Sequence, residues 1–156
     1  MCSVFKIFKS KTEGTKCSGQ LTRLGDLTNS VDSYLAKHNC LRNRKLYSCS
    51  DLILNRLICD SIDTKIMAQV DICEGHKDLF SVKHKSIRQT TCSWEGCHKS
   101  GQLGKPRVSF EDSARLSNQH SQFIPVGSIL CHLHRPFISS REKFYLHFTL
   151  YKNFFI

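Results

Sequence analysis

Two short stretches, Cys92-Ser-Trp-Glu-Gly-Cys97-His98 and Ile129-Leu-Cys131-His-Leu-His134, decide how this chain is read. Each carries soft donors close together, and 33 residues separate Cys97 from Cys131. A zinc ion takes four sulfur or nitrogen donors at tetrahedral corners, and two short donor pairs brought together supply them while ordering little extra chain. A Cys-x2-His pair reaches one ion from a single turn, and a Cys-x4-Cys loop wraps its opposite side. The spacing predicts a structural zinc site made of Cys92, Cys97, Cys131 and His134. Free cysteine is also among the most buried residue types, so a thiol packed in a core is the competing reading at each position. His98 and His132 lie beside the ligands and could substitute for them.

A second stretch has the same form. Ile72-Cys73-Glu-Gly-His76-Lys-Asp-Leu79-Phe80 and Leu130-Cys131-His-Leu-His134-Arg-Pro-Phe137-Ile138 share an apolar residue, Cys-x2-His and a following apolar pair. This points to one module present twice in tandem. A first site would then join Cys73 and His76 to an upstream cysteine pair, for which Cys40 and Cys49 are the candidates. His38 could replace either, and Cys59 is a buried spare or an alternative ligand.

Composition favours stapled modules over one large core. Of 156 residues 40% are hydrophobic, which is lean, and small lean modules need a metal or disulfides to hold together. Nine cysteines serve either purpose. The stretch from Met1 to Lys9 interrupts its apolar residues with Lys6 and Lys9, unlike an export signal, and no run approaches the length that spans a bilayer. These features lead us to expect an intracellular protein outside the membrane, nuclear rather than cytoplasmic, with reduced thiols available to metal. The formal charge of +10 selects for anionic partners, nucleic acid first. Two filled Cys3His sites, each carrying a net −1, would leave about +8. Solvated surface charge is the plain alternative.

The expected fold is α+β, with short strands and helices in small zinc-stapled modules. Residues 1–37 read as a loose basic arm followed by an amphipathic helix, the latter starting near Asn29 or Ser30 and ending at Lys37 on the stripe Val31, Tyr34, Leu35. Residues 38–80 form the first zinc module, with Ser50 and Asp51 opening a helix over Leu52 to Ile58 and a strand from Ile66 to Ile72 leading into Cys73. Residues 81–91 lack a period and read as a linker. The second module spans 92–138, with a strand beginning at Val108, a helical turn or two between Glu111 and Gln122, and a strand over Ser128 to Leu130. An aromatic tail, 139–156, alternates in places through Phe144, Leu146, Phe148 and Leu150, and is either an edge strand or a docking segment for a protein partner.

Cys92-x4-Cys97, Cys131-x2-His134 and the following Phe137 resemble the C2CH arrangement of THAP-type zinc fingers over about a quarter of the chain. The resemblance implies a small β-α-β unit that binds DNA through a basic face, with Lys99, Lys105, Arg107 and Arg115 as phosphate contacts. The only tryptophan, Trp94, lies between the first two ligands rather than in a central helix. No enzyme is expected. The chain has no Gly-rich phosphate loop, no HExxH and no GxSxG, and no spacing supplies the third group that a cysteine nucleophile and its histidine base require.

Overall fold

The computed structural model describes residues 2–7, 14–42, 46–57 and 69–139. The architecture is α+β, and the one sheet among the described residues is built from distant segments. Strand β1, Leu21–Arg23, pairs antiparallel with β2, Asp71–Cys73, in the register Leu21↔Cys73, Thr22↔Ile72, Arg23↔Asp71. The pairing is short because only Ile72 and Cys73 bury their side chains, while Leu21 and Arg23 face solvent. Its consequence is positional: the residues before β1 are delivered beside those after β2.

Residues 2–7, expected to belong to a loose arm, instead form helix α1, Ser3–Ile7. Cys2 and Val4 pack into a first core with Leu24, Ile53, Leu57, Ile72, Cys73 and Phe80. Burying these side chains at roughly 1.5–3 kcal/mol each overcomes the poor propensity of so short a helix. Helix α2, Asp32–Lys37, falls within the predicted span. Helix α3, Cys49–Leu57, starts earlier than predicted. Ser48, not Ser50, caps it: the Ser48 hydroxyl accepts from the Asp51 amide at 3.1 Å, and the Asp51 carboxylate accepts from the Ser48 amide at 2.8 Å. Ser50 is thereby carried into the helix and buried.

The chain leaves β2 directly into α4, Glu74–Phe80, and then into a short helix α5, Lys85–Arg88, capped by the His84 ring accepting from the Ser86 amide at 3.3 Å. This corrects the linker expected at 81–91. Ser81, His84 and Ser86 are buried while Val82, Lys83, Lys85, Arg88, Thr90 and Thr91 face solvent, so the segment is packed down by one face.

Helix α6, Phe110–His120, is longer than the predicted turn or two, and both of its ends are chemically fixed. Ser109 and Asp112 exchange hydrogen bonds as a capping box, while Ser121 closes the other end in the left-handed region at φ 51°. Helix α7, Pro136–Ser139, follows the second Cys-x2-His turn. The strands expected at Val108 and at Ser128 to Leu130 are absent as strands. Val108 donates to the Ser128 carbonyl at 3.0 Å and accepts from Gly127 at 2.9 Å, but the next bonds go to other partners. Gln102 donates to the Leu130 carbonyl and Ser93 to the Ile129 carbonyl, so this segment is held by loops instead of a ladder.

Two further cores complete the structure. One joins Cys92, Val108, Leu116, Ile124, Leu130, Cys131 and Ile138 beneath the second donor group. The other joins Leu35, Cys40, Tyr47, Leu52 and Val126, with Phe110 and Ile87 against it, and so draws on both halves of the chain. Cys59, the predicted strand over Ile66 to Ala68, and the tail from 140 onward lie outside the described residues.

Candidate metal centres

Cys92, Cys97, Cys131 and His134 converge, each offering one donor atom, with all four donors within 4.8 Å of one another. Cys97 Sγ and Cys131 Sγ are 3.9 Å apart, and His134 Nδ1 lies 3.5 Å from Cys92 Sγ and 3.3 Å from Cys131 Sγ. Cys131 and His134 share one turn, closed by the His134 and Arg135 amides donating to the Cys131 carbonyl. Cys92 is placed by a bond from its amide to the Lys99 carbonyl at 2.8 Å, and Cys97 by a turn back to Trp94 at 3.0 Å. Trp94 stacks on the His134 ring at 4.5 Å with the planes 6° apart, and on Phe137 at 4.9 Å. Stacking fixes the imidazole so that Nδ1 faces the sulfurs.

A second Cys3His group forms from Cys2, Cys17, Cys73 and His76, again within 4.8 Å. His76 Nδ1 is 3.0 Å from Cys73 Sγ, 3.4 Å from Cys2 Sγ and 3.9 Å from Cys17 Sγ, while the sulfurs of Cys2 and Cys17 stand 3.8 Å apart. These separations are far from the roughly 2.0 Å of a disulfide, and all these thiols are free. Helix α4 lifts His76 from its first turn, the sheet brings Cys17 alongside, and Cys2 joins them from just before α1. The Cys17–Gly19 loop lies on α4 at Gly75, whose amide donates to the Ser18 carbonyl at 3.2 Å. A Cβ at Gly75 would come 2.5 Å from Ser18 Oγ, so a larger residue there would have to turn the Ser18 hydroxyl aside.

Cys73 and His76 are thus brought together as expected, but Cys40 and Cys49 are not with them. Cys40 sits in the core shared by both halves, its thiol donating to the His38 carbonyl at 3.3 Å. Cys49 packs at the start of α3 against the first core. His38 packs edge-on against Tyr34, and His98 and His132 are exposed outside both groups. Cys2 and Cys17 were missed because no local spacing links them to Cys73; the β1–β2 pairing brings Cys17 there, and the packing of α1 on β2 brings Cys2.

The thiols differ electrostatically. Burial pushes Cys73 up, but hydrogen bonds from the His76 and Ser18 amides, with the His76 and Cys2 side chains, outweigh it and hold the thiol down at about 6. Cys131 is likewise lowered: against burial stand the amides of His134 and Leu133. Burial raises Cys92 to about 11 and Cys40 to about 11, and Cys49 also rises with burial. In both Cys-x2-His turns the cysteine is thus shifted toward the thiolate.

Of the four basic residues singled out, Lys99 and Lys105 are exposed. Arg107 donates to the Ser86 and Gly127 carbonyls at 3.1 and 3.0 Å, and Arg115 pairs with Asp112 at 2.8 Å, so both guanidinium groups have internal partners. Among the described residues no helix is long and apolar enough to cross a membrane. No family model, curated protein or solved structure matches this chain. What the geometry itself defines is two Cys3His groups that could hold a metal ion, in a structural role.

Proposed function

We propose that this chain is a small binding protein whose fold is stapled by two structural zinc ions, and whose exposed cations contact nucleic acid. The observation that carries the zinc half is the size of the donor tetrahedra. With Zn–S of about 2.3 Å and Zn–N of about 2.0–2.1 Å, tetrahedral corners lie about 3.8 Å apart for two sulfurs and about 3.6 Å for sulfur and nitrogen. One sulfur pair in each group stands 3.8 or 3.9 Å apart, five sulfur–nitrogen pairs run from 3.0 to 3.9 Å, and all four donors of each group lie within 4.8 Å of one another. Four protein donors fill the coordination sphere and leave no position for a substrate, which favours structure over catalysis. A bound ion would cross-link the chain segments and offset the thiolate charge. Metal analysis of the purified chain tests this: two equivalents of zinc are expected, falling to one in Cys131→Ala. A wild type that retains none when isolated with zinc present would remove the zinc reading.

The nucleic-acid half is supported by the +10 charge, the exposed Lys99 and Lys105 near the second site, and the likeness of that site to THAP-type fingers. A nuclear location belongs to the same reading. Binding is expected to weaken steeply with salt and to lose about one unit of salt slope with each of Lys99→Gln and Lys105→Gln. Affinity for DNA and RNA no better than that of a size-matched basic control would leave only the zinc half. One feature favours a protein partner instead: Leu103 and Leu133, 64% and 51% exposed, lie in loops of the second module. Partner capture lost in Leu133→Asp with zinc retained would support that second reading.

A further inference from the structure

Arg56 is buried on α3 at 3% exposure, and among the described residues it has no ion-pair partner. A guanidinium withdrawn from water must have its donors satisfied, and here backbone carbonyls from two regions do so. Nη1 donates to the Phe80 carbonyl at 3.1 Å and to the Ser81 carbonyl, at the end of the helix that begins beside His76. Nε and Nη2 both donate to the Val126 carbonyl at 3.2 Å, five residues before Cys131. Neighbouring side chains tie the same two regions. The Asn55 carbonyl oxygen accepts from the Val126 amide at 2.9 Å, and Ser86 Oγ donates to the Val126 carbonyl at 3.1 Å. Arg107 spans the Ser86 and Gly127 carbonyls. Meanwhile Ile53 and Leu57, on the same helix as Arg56, belong to the core that contains Cys73.

We propose that Arg56 couples the two metal sites, so that filling one raises the affinity of the other. The inference rests on the metal-binding reading above. Emptying the first site loosens α4 and the 80–81 carbonyls, and Arg56 then holds donors that are buried without acceptors. The carbonyl at 126, and with it the approach to Cys131, loses its anchor. By thermodynamic reciprocity the second site acts on the first to the same degree.

Cobalt titration of the full chain, read by the thiolate-to-cobalt charge-transfer band, tests this. Cys17→Ser reports the second site alone and Cys97→Ser the first alone. The wild type is expected to bind its two ions at least tenfold more tightly than the two single-site variants together predict, and Arg56→Met, assayed in the same three backgrounds, is expected to reduce that factor below about threefold. Should Arg56→Met take up no cobalt, Arg56→Lys replaces it, because one ammonium cannot reach both sets of carbonyls; the same reduction is expected. Gly127→Ala approaches the tie from the other side. Its backbone has φ +91°, and the added Cβ would meet Ile87 Cδ1 at 2.6 Å and Arg56 Nη2 at 3.1 Å, so it too should lower the coupling. Two sites that bind cobalt independently in the wild type, or full coupling retained in the Arg56 variants, would overturn the inference and leave the metal reading standing. A wild type that binds no cobalt would overturn both.

Discussion

The two Cys3His groups offer the same four donors and assemble them by different means. In the group around His134, Cys92 to His134 spans a single stretch of chain, two tight turns present the ligands, and Trp94 stacks on the imidazole. In the group around His76 the donors run from Cys2 to His76, the imidazole is fully buried, and convergence depends on a three-residue strand pairing and on α1. The group around His134 is local, with Cys97 and His134 half-buried; the group around His76 is non-local and more enclosed, with only Cys17 half-buried. Local turns place donors whatever the rest of the chain does, whereas a site that closes distant segments makes the whole fold depend on it. A metal there holds together the segments that build the first core.

Ligand removal is the strongest way to break this comparison. His76→Ala is expected to destabilise the chain by more than about 4 kcal/mol and to lower the melting temperature of all described segments together, with His134→Ala costing less and acting mainly on 92–139. Hydrogen exchange resolved by segment checks it, and equal, global losses for both variants would erase the distinction between local and non-local sites.

Trp94→Ala tests what holds the local site. A half-buried tryptophan stacked on a ligand and on Phe137 should cost about 2 kcal/mol and weaken the second site's metal retention, with the first unchanged. Competition with a coloured chelator reads both sites.

His84, buried between the two halves, sharpens the comparison through pH. Burial, with Arg56 and Lys85 nearby, lowers its pKa from 6.5 to about 3, so the native state favours the neutral ring. The unfolded chain takes up the proton first as pH falls. His84 therefore contributes stability that is complete above about 6.5 and is lost progressively between there and about 3. Denaturant midpoints measured from pH 7 to pH 5 should fall less steeply in His84→Asn than in the wild type. An unchanged slope would show that His84 does not contribute to the loss.

The smallest effect concerns the cysteines outside both groups. Cys40→Ala and Cys49→Ala are expected to leave two metal equivalents in place and to cost about 1 kcal/mol each in packing. Loss of an equivalent in either variant would return these residues to the first site.

How legible each region was follows from how far apart its parts lie. Cys92, Cys97, Cys131 and His134 could be grouped from spacing, because each pair sits within one turn. Cys73 and His76 were equally readable as a pair, but their partners were sought in the nearest upstream cysteines. Proximity in sequence misled because Cys40 lies in another core, where its thiol donates to a carbonyl, while the β1–β2 pairing carries Cys17 to Cys73. Helix α2 is readable from its apolar stripe, whereas the length of α6 rests on the capping box of Ser109 and Asp112, a polar signal that no apolar period carries. The segment at 81–91 read as a linker because its buried residues are Ser81, His84 and Ser86, whose burial depends on hydrogen bonds that no hydrophobic period reveals.

Residue order alone thus determined which donor types exist, the two Cys-x2-His turns, the surplus of positive charge and the mixed α+β character. The partners of Cys73 and His76, the burial of Ser81, His84 and Ser86 and the joining of both halves around Arg56 were decided only in three dimensions. The reason is physical: a turn is specified by neighbours in sequence, but strand pairing and the burial of a charged side chain are specified by whatever segment supplies the missing hydrogen bonds, however distant in the chain.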